Sequence, residues 1–213
     1  PLGIAFDQNS NLLVADAFLG LLSISPTKTV SILANQINGS PIKYADDVDV
    51  GPDGRIYFSD ASTKFGALEF GGTYEASLLD IIEHGGHGRI LVHDPQAKAT
   101  SNLFDGLNFA NGVAVDVKGR FLLVAETGSY RIIKYWLQGD RIGQRLRGEV
   151  DVALFRRQRA DGQSDVAENR AGQHHGPFAG HKLFGNFHRF TRFALIVAED
   201  ELQLLAHHAA SGI

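Results

Sequence analysis

The feature that most constrains the fold is a pattern that occurs three times in the first two thirds of the chain. Each copy has an alternating apolar strand, a polar turn, a second apolar strand, and then an acidic residue followed by a small one. The acidic residues are Asp16, Asp60 and Glu126, which lie 44 and 66 residues apart. Self-similarity at about 40–50 residues is typical of radial repeats such as propeller blades. The repeat therefore predicts an all-β fold in which the first strand of each unit starts at a shared central channel.

Within each unit, short apolar runs separated by turn residues predict antiparallel strands. In the first unit they fall at Leu2–Phe6, Asn11–Ala15, Gly20–Ser25 and Thr29–Leu33. In the second they fall at Val48–Val50, Arg55–Ser59, Gly88–His93 and Ala99–Leu103, and in the third at Gly112–Val115, Phe121–Ala125 and Tyr130–Leu137. An insertion, Ser62–His87, interrupts the second unit and contains a predicted helix at Ala76–Glu83.

The pattern ends near Arg141. Residues 141–213 hold six of the nine histidines and contain no fourth copy of the repeat. We therefore divide the chain into propeller blades at 1–140 and a divergent tail at 141–213. The tail is either a frame error in the gene or a genuinely different segment. We favour the frame error, because the change falls inside a blade and would leave a sheet edge unpaired.

Composition excludes several classes of protein. A net charge of −4 gives no indication of nucleic-acid binding, and no apolar run reaches the roughly 18 residues of a membrane span. The absence of cysteine excludes disulfides and thiolate metal sites. The chain starts at Pro1 and has no methionine, so we expect an internal portion of a longer protein, and the sequence does not indicate a compartment.

Six short sequence motifs of five to seven residues resemble the strictosidine synthase-like family, which includes the adipocyte plasma membrane-associated proteins and is related to the paraoxonases and gluconolactonases. They begin at Pro1 (PLGIAFD), Asn11 (NLLVADA), Ala45 (ADDVDV), Ile56 (IYFSDAS), Phe109 (FANGVA) and Leu123 (LVAET), and all lie within residues 1–140. The resemblance implies a six-bladed β-propeller with a divalent ion, usually calcium, in its channel. This chain would supply about three of the blades.

The resemblance also implies a metal site. Asp46 and Asp47 immediately precede the predicted inner strand of the second unit, and Asn111 precedes that of the third. By similarity to paraoxonase-like proteins, these three residues would hold Ca²⁺ or another divalent ion. Consecutive side chains on a strand point to opposite sides, so we expect only one of the two aspartates to face the ion. The alternative is that they only cap turns by bonding nearby backbone.

Other polar residues receive structural assignments. Asp16, Asp60 and Glu126 are predicted to bond loop backbone at the blade rim. His84 and His87, in the insertion, are candidates for a general base above the channel, with a solvent-exposed loop as the favoured alternative. The tail histidines His174, His175, His181 and His188 lack a recognised zinc-ligand spacing.

Three functions follow. The first is a metal-dependent hydrolase of small esters or lactones, with a catalytic base that the sequence does not identify. The second is an amine–aldehyde condensing lyase, which is the activity of strictosidine synthase itself. The third is a non-catalytic propeller that binds partners, or an inactive fragment. Because three blades leave open sheet edges, we also expect the isolated chain to be poorly soluble or to self-associate through those edges.

Overall fold

The computed structural model describes residues 1–149, which are mostly antiparallel β-structure. The predicted tail lies outside this range except for residues 141–149, and so do the four tail histidines.

Three four-stranded antiparallel sheets follow one another along the chain, and in each sheet the strands are neighbours in chain order. The first contains β1 (Ile4–Phe6), β2 (Leu12–Asp16), β3 (Gly20–Ile24) and β4 (Val30–Ala34). A small hairpin of β5 (Gln36–Ile37) and β6 (Ser40–Pro41) leads to the second, which contains β7 (Ala45–Val50), β8 (Ile56–Asp60), β9 (Gly88–Asp94) and β10 (Ala99–Leu107). The third contains β11 (Ala110–Val115), β12 (Phe121–Glu126), β13 (Arg131–Trp136) and β14 (Arg145–Glu149), with a short 3₁₀ helix at Thr127–Ser129.

The strand β14 corrects one expectation. It pairs with β13 from Arg145↔Tyr135 to Glu149↔Arg131, so the third sheet has its fourth strand and extends beyond residue 140. The predicted unpaired edge after β13 was therefore wrong. The sequence Arg-Leu-Arg-Gly-Glu shows no apolar alternation, because β14 is an outer strand and even Leu146 is 62% exposed.

The sheets pack face to face, and the second is covered on both sides. Leu13 and Leu21 of the first sheet contact a buried cluster with Ile56, Phe58 and Leu91 of the second. The opposite face of the second sheet supplies another cluster, in which Tyr57, Ile90 and Phe104 pack with Leu122 and Val124 of the third. Consecutive four-stranded sheets stacked in this way are propeller blades, which confirms the predicted all-β propeller fold.

The insertion folds over the ends of the second and third sheets. Its helix α1 (Thr73–Glu83) begins three residues earlier than predicted, after Gly72 with a φ of 132°. Ala76 is buried in a cluster with Tyr44 and Phe109, whose rings meet edge to face at 5.3 Å. The Tyr44 hydroxyl donates to the Thr73 carbonyl at 2.8 Å, so the start of the helix is tied to the residue just before β7.

Candidate metal site at the start of the inner strands

Asp46, Asp47 and Asn111 lie within the inner strands rather than before them, which corrects their predicted position. Asp46 and Asp47 are the second and third residues of β7, and Asn111 is the second residue of β11. Both strands have a register shift at this point, between Ala45 and Val48 and between Ala110 and Val113. Such bulges redirect side chains and are frequent at functional sites. Asp46 and Asn111 therefore occupy the same position in two successive repeats.

One buried hydroxyl joins the two bulges. Ser59, on β8, donates to the Asn111 carbonyl at 2.6 Å and accepts from the Asp47 N–H at 3.0 Å. The Asp47 carboxylate in turn accepts from the Val113 N–H at 2.9 Å. The structure thus brings the backbones of Asp47 and Asn111 together across the interface between the second and third sheets. The sequence analysis missed Ser59, because the repeat has alanine at the equivalent positions of the other two sheets.

Asp46 is in a different electrostatic situation from Asp47. Its side chain is buried, and among residues 1–149 no donor forms a hydrogen bond to its carboxylate. Burial, followed by the nearby negative charge of Asp47, raises the pKa of Asp46 to about 8. The Asn111 side chain is equally buried, and its carboxamide likewise has no hydrogen-bond partner in the described part of the chain. Two polar side chains at equivalent positions are therefore largely buried, but at 8% and 9% exposure they remain open to solvent or to an ion.

Protein carboxylates alone do not assemble a metal site here. Across residues 1–149, no three side chains from His, Asp and Glu lie close enough to hold an ion. An ion at this position would also need the amide oxygen of Asn111, backbone carbonyls, water or residues beyond the described range.

The carboxylates that end the second strands have the structural role that the repeat predicted. Asp60 accepts from the Tyr44 N–H at 2.9 Å, and Glu126 accepts from the Asn108 N–H at 2.9 Å. Asp16 accepts from the backbone of the hairpin that follows it, as the N–H groups of residues 18 and 19 lie 2.9 and 3.0 Å from its Oδ1. This confirms their assignment to loop backbone at the blade rim.

Two arginines complete the rim contacts, and the sequence analysis missed both. Arg89 lies 2.8 Å from Asp60, and Arg131 forms an ion pair with Glu126. Each arginine is directly opposite its carboxylate in the strand pairing. Burial raises the pKa of Asp60 to about 6, while the Arg89 charge opposes that rise. Asp60 and Arg89 are 29 residues apart, whereas Glu126 and Arg131 are 5 apart. Their equivalence in the repeat could therefore have been recognised from the sequence only after removing the insertion.

The two insertion histidines lie at the end of α1. His84 follows the helix in a left-handed conformation, and its Nε2 lies 3.1 Å from the Asn108 amide nitrogen. His87 Nε2 is 2.9 Å from a Glu83 carboxylate oxygen. These contacts hold the loop after the helix and favour the surface-loop alternative over a general base.

Fold and packing together define the class of the protein as a β-propeller, and comparison with known proteins identifies those of similar sequence. Residues 46–140 match the family model described as strictosidine synthase. Strictosidine synthase-like protein 3 of Arabidopsis thaliana is 33% identical over 145 residues, which cover 67% of this chain and 35% of that protein. The adipocyte plasma membrane-associated protein of Gallus gallus is 36% identical over 144 residues, which cover 65% and 33%. Over this region the chain is therefore similar in sequence to the strictosidine synthase-like proteins.

A solved structure supports the same fold. A gluconolactonase from Xanthomonas campestris superposes with a TM-score of 0.54 at 20% identity, covering 68% of this chain and 46% of that one. The chain thus spans about a third of the length of the curated relatives quoted above and under half of this solved propeller. No helix in residues 1–149 is long and apolar enough to cross a membrane.

Proposed function

We propose that this chain is part of a calcium-dependent hydrolase that cleaves small esters or lactones. Asp46 and Asn111 supply oxygen ligands to the ion, and Asp47 positions the strand that carries Asp46. The observation that carries the proposal is the buried Asp46 carboxylate, which has no hydrogen-bond donor among residues 1–149. Removing a carboxylate from most of its water without a hydrogen-bond donor disfavours its charged form, and a bound cation offsets that cost.

The donor chemistry suits calcium. Carboxylate and amide oxygens are the ligands that Ca²⁺ prefers, and it takes six to eight of them at flexible geometry. Another divalent ion with a preference for oxygen would fit the same donors. Asp46 and Asn111 are two ligands, so water and groups from the rest of a complete propeller would supply the others.

Each residue at the site has a distinct task in this proposal. Asp46 provides negative charge once the ion displaces its proton, and Asn111 provides a neutral amide oxygen from a strand whose backbone carbonyl is held by Ser59. Asp47 is occupied by the Val113 N–H, so it fixes the third sheet against the second and leaves Asp46 as the aspartate available to the ion. A bound divalent ion would act as a Lewis acid that polarises the carbonyl of an ester or lactone.

The substrate class is argued from chemistry and fold. The superposed propeller from Xanthomonas campestris is a gluconolactonase, which makes lactones the first compounds to test. At 20% identity that likeness concerns the fold alone.

Ion binding is tested by thermal unfolding in excess calcium and in chelator. We expect calcium to raise the Tm of the wild-type chain, and we expect Asp46→Asn and Asn111→Ala to lose most of that rise. Asp53→Asn is the matched control, because Asp53 is an exposed turn residue and its replacement changes the net charge equally. An equal calcium response in all four proteins would overturn the assignment of ligands.

Turnover is measured separately, with δ-gluconolactone and phenyl acetate as substrates. We expect hydrolysis that requires calcium and that Asp46→Asn abolishes. Calcium binding without hydrolysis would keep the ion site and overturn the hydrolase. Condensation of an amine with an aldehyde in the absence of hydrolysis would instead favour a lyase.

A further inference from the structure

Tyr44 and Phe109 occupy equivalent positions in two successive repeats, two residues before the candidate ligands Asp46 and Asn111. The equivalence extends to the backbone. The N–H of the residue that follows each rim carboxylate donates to the carbonyl of one of them, at 2.8 Å for Tyr44 and 3.0 Å for Phe109. Both aromatic side chains are buried. They therefore mark the points at which the chain begins the inner strands β7 and β11.

The insertion helix α1 contacts both of these residues. At its first turn, the Thr73 carbonyl accepts a hydrogen bond from the Tyr44 hydroxyl at 2.8 Å. Ala76 and Asp80 are four residues apart, so they lie on the same side of the helix. Ala76 is buried in one cluster with both aromatic rings, and the Asp80 carboxylate lies beside the Phe109 backbone N–H. The helix therefore connects the start of β7 with the start of β11.

Asp80 is a charged residue on the buried side of α1, and its side chain is inaccessible to solvent. The Ser62 hydroxyl donates to its Oδ2 at 2.5 Å, whereas its Oδ1 has no hydrogen bond among residues 1–149. Burial raises the pKa of Asp80, and the Ser62 hydroxyl and the Phe109 N–H are among the groups that oppose this rise. A carboxylate is costly to bury, so its place here indicates a role toward the groups beside it.

Phe109 has a backbone conformation that needs such support. Its φ of 56° lies in the left-handed region, where bulky side chains are rare. Residues in this region persist when the surrounding contacts fix them, and they cluster at functional sites. The Asp80 carboxylate lies at the Phe109 N–H, and the Thr127 N–H bonds the Phe109 carbonyl. Both backbone polar groups of Phe109 are thus held just before the bulge that carries Asn111.

We propose that Tyr44 and Asp80 are positioning residues, through which α1 holds Asp46 and Asn111 at the separation that an ion requires. The inference rests on the calcium site of the proposed function. Tyr44 acts through β7, and Asp80 acts through Phe109 and β11. Donors that are already in place lose less conformational freedom when the ion binds, so they bind it more tightly. The insertion is therefore a clamp that sets the affinity of the site from outside it.

The first readout is the calcium affinity of the complete 213-residue chain, measured by isothermal titration calorimetry. Tyr44→Phe removes only the hydroxyl that bonds the Thr73 carbonyl, and Asp80→Ala removes the carboxylate. We expect each to raise the calcium dissociation constant by about tenfold, as the loss of groups that orient metal ligands does. Asp80→Asn keeps an oxygen that can accept a hydrogen bond and should recover part of the affinity.

Each variant has a matched control. Tyr130→Phe removes a hydroxyl from a tyrosine that is 76% exposed. Glu75→Ala removes one negative charge from the exposed side of the same helix as Asp80. Both controls should bind calcium as the wild-type chain does, because neither residue contacts the start of an inner strand.

The second readout is hydrogen exchange in chelator, resolved by NMR, which needs no calcium. The N–H groups of Asp47 and Val113 are bonded at the junction of β7 and β11. We expect both to exchange faster in Tyr44→Phe and Asp80→Ala, while the N–H groups of β2 and β3 keep their wild-type rates. A general loss of stability would instead speed exchange in all three sheets.

Two results would overturn the proposal. One is unchanged exchange at Asp47 and Val113, or an increase that the first sheet shares. The other is faster exchange at the junction with wild-type calcium affinity, which would mean that α1 holds the strands without presetting the ion site. A wild-type chain that binds no calcium would overturn the ion site of the proposed function itself. The exchange rates in chelator would then decide whether α1 fixes β7 against β11.

Discussion

The carboxylate of Asp47 accepts a hydrogen bond of 2.9 Å from the backbone N–H of Val113, and this bond joins the second sheet to the third. Two residues along β7, Asp49 accepts from the Val115 N–H at 2.8 Å. β7 and β11 are neighbours but belong to different sheets. The N–H groups of β11 that a ladder would otherwise pair are therefore satisfied by side chains of the neighbouring blade.

Truncating Asp47 should destabilise this interface. Asp47→Ala removes the acceptor and leaves the buried Val113 N–H unpaired, which should lower the free energy of unfolding by about 1–3 kcal/mol. Asp47→Asn retains an oxygen that can accept the same bond and should cost less. Urea unfolding at one fixed chain concentration measures both, with the exposed turn variant Asp53→Ala as control. Equal losses in the alanine and asparagine variants would show that the hydrogen bond is not the cause.

Ser59 should be more sensitive than an average buried serine. Its hydroxyl serves both the Asp47 N–H and the Asn111 carbonyl, and the side chain is fully buried. Ser59→Ala leaves two backbone groups unpaired, so we expect a loss of about 2–3 kcal/mol in the free energy of unfolding. The exposed Ser31→Ala in β4 should be nearly neutral. A loss no larger than that of the control in urea unfolding would mean that water replaces the hydroxyl.

The sequence was sufficient to predict most strands, because apolar alternation and turn residues are local signals. It also predicted the rim role of Asp60 and Glu126, because their position repeats. It did not predict β5 and β6, which are two residues each, or β14, whose sequence shows no apolar alternation.

The contacts between sheets were not predictable in the same way. Asp47 and Asp49 each bond a residue 66 positions away, and Ser59 bonds one 52 positions away. Such pairs depend on how consecutive sheets stack, and the periodicity within one sheet carries no information about that. The sequence predicted only that Asp46 and Asn111 occupy equivalent positions in two repeats. It did not predict that both lie at bulges. Their burial without hydrogen bonds became evident from the structure.

The rim pairs differ in burial, and their contributions to stability should differ accordingly. Glu126 is fully buried and pairs with Arg131, whereas Glu69 is half exposed and pairs with Lys43. Removing one partner of a buried pair leaves the other charge uncompensated, at a cost of about 3–5 kcal/mol when both are buried. Because Arg131 is partly exposed, we expect about 2–4 kcal/mol for Glu126→Ala. Glu69→Ala should cost about 0–1 kcal/mol.

Thermal and urea unfolding of these two glutamate variants would test the comparison, with 1 M salt as a second condition. Salt should reduce the small effect of Glu69→Ala further, because exposed ion pairs are screened, and it should leave most of the Glu126→Ala effect. Similar losses for both variants would contradict the structural role assigned to the buried rim carboxylate.

His93 should make stability depend on pH. The ring is buried on β9, and its Nδ1 lies 2.9 Å from the Thr100 hydroxyl oxygen. Burial lowers the pKa of His93 below its ordinary value of 6.5, so the unfolded chain takes up a proton at a higher pH than the folded chain does. The contribution of neutral His93 is therefore complete above pH 6.5 and is lost as the pH falls through and below that value.

His93→Gln keeps a side chain that can bond the Thr100 hydroxyl but does not titrate. Urea unfolding at a series of pH values from neutral to mildly acidic should show a steeper loss of stability for the wild-type chain than for His93→Gln. Gln96→Ala, in an exposed turn and without a titratable group, should retain the wild-type slope. Parallel curves for all three proteins would exclude His93 as the titrating group.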